Sequence, residues 1–441
     1  MTGAETREEL TADELRDAWA CLSPGERVEG LALLPRTDAE DMFLRLDGID
    51  QARVLTALPA SDRRSWLRML PPDDAADLVQ AAQAQDRERL LELLDDPTRR
   101  EVTALLAYAE DRAGGLMSPR FARARPEMTV DEAIIYVRKQ ARESLEMIYY
   151  VYVLDVEQRP LGVVSLRELI AAPGHKRVRE LMNPDLIGVS DEMDQEAVSR
   201  LFAERGLLAV PVLDRDGRMK GIVTVDDIVD VVEEEATEDI QKLGGMAALE
   251  EPYLDIGLLH MVKKRAGWLA ALFLGEMLTA TAMSYFEKEI AAAVVLAVFL
   301  PLIISSGGNS GSQATTLVIR AMALGQVKLR DFWRVARREL SAGLALGAIL
   351  GAIGFVRIIA WHFAFHSYGQ HYALIALTVG LSLIGVVLWG TLAGATLPFI
   401  LRRLGVDPAS ASAPFVATLV DVSGLVIYFT MASLILRGAL L

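Results

Sequence analysis

The chain has 441 residues, 52% of them hydrophobic, and a formal net charge of -15. That length allows about three domains, and the single cysteine, Cys21, excludes intrachain disulfides and thiolate-rich metal sites, leaving oxygen ligands for any metal. The charge is unevenly shared: residues 251–441 hold 14 Lys+Arg against 9 Asp+Glu, whereas residues 1–250 hold 31 against 51, an acidic balance that speaks against a nucleic-acid partner.

From Met1 to Asp17 the sequence is polar and acid-rich, without an apolar h-region, so no cleavable signal peptide is expected and the acidic half should stay in the cytosol. Positions 22, 34, 46, 58, 70, 82, 94 and 106 then read Leu, except for Ala82, a spacing of 12. The next residue is often a helix-start type, as at Ser23, Pro35, Asp47, Pro59, Pro71 and Asp95. The reading is an α-helical superhelix of short stacked helices over residues 1–113, with a plain helical bundle as the alternative.

A duplication follows. Leu116-Met-Ser-Pro119 and Leu181-Met-Asn-Pro184 lie 65 residues apart, and Val153-Leu-Asp155 with Gly162-Val-Val-Ser165 recurs 59 residues later as Val212-Leu-Asp214 with Gly221-Ile-Val-Thr224. Each copy runs Leu-Met-x-Pro, helix, strand, turn, strand, helix. This order resembles a tandem pair of cystathionine-beta-synthase (CBS) domains, α/β regulatory modules, over residues 114–240. The resemblance implies an adenine-nucleotide site, for ATP among others, at Thr224 and Asp227 of the second copy; the first copy has Ser165 and Glu168 there.

A helix is expected to begin near residue 226, and it carries eight carboxylates between 226 and 239. Asp230, Glu234 and Glu238 stand at i, i+4 spacing, where like charges destabilise a helix and a cation would relieve the cost. A solvated linker face is the plain alternative. The connecting region, 241–262, leads to a membrane domain over 263–441, with five spans at about 266–286, 290–319, 339–362, 372–401 and 412–437. Lys263, Lys264 and Arg265, the Arg/Lys cluster from Arg320 to Arg338, and Arg402 with Arg403 flank alternate ends, which puts the amino terminus in the cytosol.

Asp421 lies in the last span, where an ionised carboxylate is costly unless it serves an ion or pairs with a base. Glu276, in the first span, reads equally as a pore-lining or a structural carboxylate. His362, His366 and His371 read as a solvated outer loop. The second span turns polar at Ser305-Ser-Gly307-Gly308-Asn309-Ser310-Gly311-Ser312-Gln313, which suits either a water-filled passage or a small-residue packing face.

Together, the Gly-Gly-Asn-x-Gly-x-Gln run, the Asp421-Val-x-Gly motif and the preceding CBS pair resemble the MgtE family of magnesium channels and transporters. The resemblance spans essentially the whole chain. It implies a homodimer in the lipid bilayer of the cell inner membrane or plasma membrane, and a Mg2+ path lined by the second and fifth spans with Asp421, Asn309, Gly307 and Gly308. It further implies regulatory Mg2+ bound at Asp194, Glu196, Asp227, Asp230, Glu235, Glu238, Asp239 and Asp407, with Asp73, Asp74 and Asp77 as weaker candidates. The expected function is magnesium-selective uptake, closed by cytosolic Mg2+. The alternative is a secondary divalent-cation transporter coupled to H+ or Na+. An intramembrane aspartyl protease needs two facing aspartates, and only Asp421 lies deep in a span.

Overall fold

A computed structural model describes residues 10–142, 145, 147–249, 253–254, 256–438 and 440. Residues 1–9 of the polar amino-terminal segment, and 250–252 and 255 of the connecting region, lie outside the described residues. The chain forms two compact units, Met1–Glu235 and Ala236–Leu441.

The first unit opens with α1 (Ala12–Ala18), α2 (Pro24–Leu33), α3 (Arg36–Leu44), α4 (Gly48–Ala57), α5 (Ala60–Leu67), α6 (Pro72–Ala81), α7 (Ala84–Leu93) and α8 (Asp96–Leu105). From α2 onward, each helix starts 12 residues after the last, matching the leucine period. The starts follow from local chemistry. Ser23 and Asp47 accept amide hydrogens of the first turn, while Pro35, Pro59 and Pro71 hold the preceding residue extended. Helices pack on their second neighbours, α2 on α4, α4 on α6 and α6 on α8, so the array is a stacked superhelix. A buried ion pair, Arg27 to Asp50 at 2.6 Å, is completed by the Trp19 indole N–H donating to Asp50.

After α9 (Ala113–Leu116), two similar α/β halves follow. The first contains β1 (Phe121–Ala124), α10 (Val130–Ala141), β2 (Met147–Leu154), β3 (Pro160–Ser165) and α11 (Leu166–Ala171); the second contains β4 (Val189–Ser190), α12 (Gln195–Arg205), β5 (Ala209–Leu213), β6 (Met219–Thr224) and α13 (Val225–Leu243). Each sheet has a parallel pair followed by an antiparallel one, in the orders β1-β2-β3 and β4-β5-β6. The Leu-Met-x-Pro segments cross between halves: Ser118 bridges to Ile222 on β6, and Asn183 bridges to Val163 on β3. This crossing explains the repeated glycine. A Cβ at Gly162 would meet the Asn183 carbonyl oxygen at 2.6 Å, and one at Gly221 would meet the Ser118 carbonyl oxygen at 2.5 Å.

The helical array docks on the second CBS half through one continuous core that joins Val102 and Leu105 to Val198, Phe202 and Ile228. Backbone bonds from Ala113 N–H to Met193 and from Gly114 N–H to Asp191 secure the joint.

The second unit contains α14 (Leu258–Tyr285), α15 (Glu287–Ala292), α16 (Val295–Ala323), α17 (Phe332–Phe365), α18 (Tyr372–Arg403) and α19 (Ala413–Leu436). Among the described residues five helices, all but α15, are long and apolar enough to cross a bilayer. The polar residues Glu287, Lys288 and Glu289 belong to the separate short helix α15, so the second spanning helix starts at Val295 rather than near 290. Helix α18 is the centre of the bundle, packing on α16, α17 and α19. Gly343, Gly347 and Gly351 of α17 let it approach α18 closely; a Cβ at Gly351 would stand 2.6 Å from the Gly380 carbonyl oxygen. Helix α14, by contrast, buries none of its residues within the chain.

Candidate ion path and acidic joints

The register between α16 and α19 follows from their close approaches. The Gly308 Cα side faces Ala417, Gly311 faces Val416, and the Ser312 hydroxyl donates to the Ala413 carbonyl at 3.3 Å. The helices are antiparallel at this seam, which sets Asp421 about level with Ser305, two turns into α19 from its start. Among the described residues no ion pair reaches Asp421; the carboxyl of Glu276 on α14 is its nearest charged neighbour. Two neighbouring carboxylates of like charge repel, and a cation between them relieves that repulsion. Helix α14 reaches this position because Gly275, beside Glu276, leaves its Cβ position 3.1 Å from the Thr418 methyl.

The polar run of α16 divides into two faces. Gly307, Ser310, Gly311 and Thr315 are buried against α18 and α19. The Ser310 and Thr391 hydroxyls bond at 2.7 Å, and the Thr315 hydroxyl donates to the Gly311 and Gly394 carbonyls, each at 2.9 Å. This is a packing seam, and Gly307 belongs to it: a Cβ there would lie 2.5 Å from a Val386 methyl and 2.8 Å from a Val420 methyl. Gly308 lies at the edge of the seam, beside Ala417. Asn309 points the other way. With Ser305, Gln313 and Thr316 it forms an exposed stripe at i, i+4, i+8 and i+11. The structure therefore sets Asn309 apart from Gly307, and sets Asp421 beside Glu276.

The expected regulatory acids fall into two groups. In the first unit, Asp194 caps α12 and lies 3.5 Å from the Arg112 guanidinium, and Glu196 pairs with Arg200 at 2.6 Å. Glu235 accepts from the Gln195 amide at 2.7 Å, which ties α13 to α12. The Asp230 carboxyl is raised above its usual range by burial and by Glu233 and Asp226. The strongest acid crowding lies at Asp77 on α6. Dense surrounding chain, then Asp74, Glu110, Asp227 and Glu234, push its carboxyl up to about 7, although it keeps access to water. Glu110 is a member of this joint that the sequence reading did not assign, whereas Glu234 was singled out there only by its i, i+4 spacing to Asp230 and Glu238. The acidic character of Glu110 alone did not separate it from the 60 acids of the chain; its nearness to Asp77 does.

In the second unit, Lys242 stands between Glu238 and Asp407, with its ammonium 2.6 Å from each carboxylate. Burial opposes its charge, but the hydrogen bonds and charges of Asp407 and Glu238 outweigh it and hold the ammonium above its usual range. Leu243 packs beside Ile319, Ala409 and Ala411, so the end of α13 sits on the loop that precedes α19. Asp239 follows Glu238 on the same turn. Among the described residues no three acids or histidines converge as a ready metal cage. The crowded acids around Asp77 still fit Mg2+ chemically, since this ion usually keeps several waters and needs few direct protein ligands. The Glu238–Asp407 pair does not fit it in this arrangement, because an ammonium already lies between them.

In the CBS pair, Thr224 and Asp226 line a cavity of about 370 Å³ together with Met147, Ile148, Tyr149 and Leu166. Asp227 turns inward instead, accepting from the Thr224 hydroxyl at 2.7 Å and the Thr224 amide at 3.2 Å. Glu168 does the same for Ser165 in the first half. Asp227 thus closes back on the residue before α13 as the acid of a capping box does, and the acid facing the cavity is Asp226.

Comparison with known proteins agrees with this architecture. Residues 10–111 match the MgtE intracellular N domain, residues 113–175 and 178–234 match CBS domains, and residues 300–431 match the family described as MgtE, divalent cation transporter. The magnesium transporter MgtE of Thermus thermophilus is 44% identical over 347 residues, covering 79% of this chain and 75% of the relative. That of Enterococcus faecalis is 35% identical over 337 residues, covering 76% and 72%. A crystal structure of the cytosolic domain of the Mg2+ channel MgtE in complex with ATP shares 43% identity, covers 51% of this chain and 91% of that one, and superposes with a TM-score of 0.47. The chain is a multi-pass membrane protein with a cytosolic amino-terminal domain, and it belongs to the MgtE family of magnesium and other divalent cation transporters.

Proposed function

We propose that the protein is a homodimeric, magnesium-selective channel for Mg2+ uptake, closed by cytosolic Mg2+, in the cell inner or plasma membrane. The observation that carries this reading is the exposed polar stripe Ser305, Asn309, Gln313 and Thr316 on a spanning helix, level with the Asp421–Glu276 carboxyls. Such a stripe is costly against lipid and stable against water, so it lines an aqueous path completed by a second copy. Helix α14, which buries nothing within one chain, supplies further surface for that copy.

Asp421 is the residue on which a hydrated Mg2+ would dwell. One carboxylate per protomer, with amide and hydroxyl groups around it, suits an ion that dehydrates reluctantly. Asn309 faces the same path, whereas Gly307 and Gly308 serve it indirectly, by bringing α16 against α19 and α18. On the cytosolic side, Mg2+ among Asp74, Asp77, Glu110, Asp227 and Glu234 would relieve their repulsion and favour the docked helical domain. Release of the ion would favour its separation. In the same unit Asp194 and Glu196 at the start of α12 and Asp230 and Glu235 on α13 add to this acidic surface, and Asp239 is a separate candidate ligand further along α13. We further assign the cavity at Thr224 and Asp226 to an adenine nucleotide such as ATP.

The nearness of Glu276 to Asp421 favours a second reading, proton-coupled transport, because two neighbouring carboxyls in a membrane are suited to carrying a proton. Uptake into proteoliposomes separates the two. A channel moves Mg2+ down its gradient whether or not a pH gradient is present, and a coupled transporter does not. The substitution Asp421→Asn should abolish uptake while the dimer still assembles; normal uptake by that variant removes the pore assignment.

A further inference from the structure

We infer that Lys242 is a built-in cation of the joint between the end of α13 and the loop before α19, a positioning residue that holds this joint closed where a metal ion is not needed. The inference rests on the proposed closure by cytosolic Mg2+, and it concerns one joint of that mechanism. Lys242 is one helical turn after Glu238, so its stem runs back along α13 and brings the ammonium to that carboxylate at 2.6 Å. The same ammonium reaches Asp407 at 2.6 Å, 165 residues away. Asp407 is itself anchored, since its other oxygen accepts the Ala409 amide at 2.9 Å at the head of the short helical turn before α19.

The geometry gives this bridge a direction of action. Without the ammonium, two carboxylates would face each other across the joint, and repulsion would lift the end of α13 from the segment leading into the Asp421 helix. With it, the repulsion is relieved permanently by a tethered charge, independent of the magnesium concentration, and the three groups keep one net negative charge. Leu243, the next residue, then packs against Ile319, Ala409 and Ala411, so the ion bridge and the apolar contact hold the same turn. The chain thereby divides its closure between a tethered cation at this joint and a diffusible one at the acids around Asp77. The tethered charge sets how firmly this joint stays closed when magnesium is scarce.

The test is hydrogen exchange of residues 236–243 in the full-length protein in lipid nanodiscs, with chelator and then with excess Mg2+. In chelator, Lys242→Met should exchange about tenfold faster than the parent, a shift that matches one lost bridge in a two-state equilibrium. Lys242→Arg should behave as the parent. Added Mg2+ should restore protection to Lys242→Met, because the freed acids now accept a diffusible cation, but not to Asp407→Asn, which lacks one of them. Parent-like protection of Lys242→Met in chelator overturns the inference. So does rapid exchange that Mg2+ cannot restore, since it would mean that the side chain acts only by packing. These readouts report the joint alone. The separate reading of magnesium closure fails if the parent channel's current is unchanged when cytosolic Mg2+ is titrated, whatever the exchange shows.

Discussion

Gly307→Ala tests the division of α16 into a packing face and a water-facing one. A methyl at this position would lie 2.5 Å from Val386 Cγ1, 2.8 Å from Val420 Cγ1 and 3.0 Å from the Val386 carbonyl oxygen. Carbon contacts are comfortable at about 3.5–4.0 Å, so two neighbours must move by more than half an ångström. The carbonyl belongs to the backbone of α18, the central helix, and cannot turn aside as a side chain can. Overpacking of this kind costs about 1–3 kcal/mol, and the gain of about 1 kcal/mol in helix propensity offsets only part of it. Gly308→Ala is the control: its methyl would meet nothing nearer than Ala417 at 3.5 Å, so the propensity gain should remain. The two variants should therefore differ in stability by about 1–3 kcal/mol, with Gly307→Ala the weaker. Detergent-induced unfolding of the purified protein, followed by proteolysis within residues 295–436, reads the difference. Equal stability of the two variants would contradict the packing role and return Gly307 to the ion path.

Three further outcomes follow from the geometry. Glu276→Gln should weaken Mg2+ uptake less than Asp421→Asn, because it keeps a hydrogen-bonding group beside Asp421; uptake rates at matched protein density decide this, and a greater loss at Glu276 reverses the assignment. Asp226→Ala should reduce ATP binding with little loss of stability, while Asp227→Ala should lower stability by about 1 kcal/mol through loss of the cap; calorimetric titration and urea unfolding distinguish them, and the opposite pattern contradicts the capping reading. Asp77, pushed up to about 7 from 3.8, keeps in the folded unit a proton that the unfolded chain releases, so its stabilisation is complete below about pH 4 and is lost as pH rises through about 7. Because water reaches this carboxyl, the effect should be only about 1 kcal/mol. Urea unfolding at pH 5 and pH 8 should show Asp77→Asn with the flatter dependence, and unchanged pH dependence in the variant would rule out the crowding.

Much of the fold was legible where a requirement is local. The 12-residue leucine spacing worked because each following Ser, Pro, Asp or Gln sits at a helix start, a property of one residue and its next three amides. Gly162 and Gly221 marked the duplication because each must admit a crossing backbone. The site was harder to read wherever the chemistry depends on remote segments. Asp421 stands out in an apolar run, but its partner Glu276 lies 145 positions earlier and only the packing of α14 on α19 joins them. Glycines in a span serve packing and passage alike, so Gly307 and Asn309 could not be separated until their faces were seen. The family resemblance named Glu238 and Asp407 among several regulatory Mg2+ ligands, and the cation that stands between these two is Lys242.

The central claim is that ions pass Asp421 passively and that cytosolic magnesium closes the path. Electrical recording from the purified protein in a planar bilayer, with magnesium as the sole permeant cation and the cytosolic side titrated, tests it most directly. The account predicts current that reverses at the magnesium equilibrium potential, falls as cytosolic magnesium rises, and is absent in Asp421→Asn. Magnesium movement without such a current, or current that persists in Asp421→Asn, would contradict it.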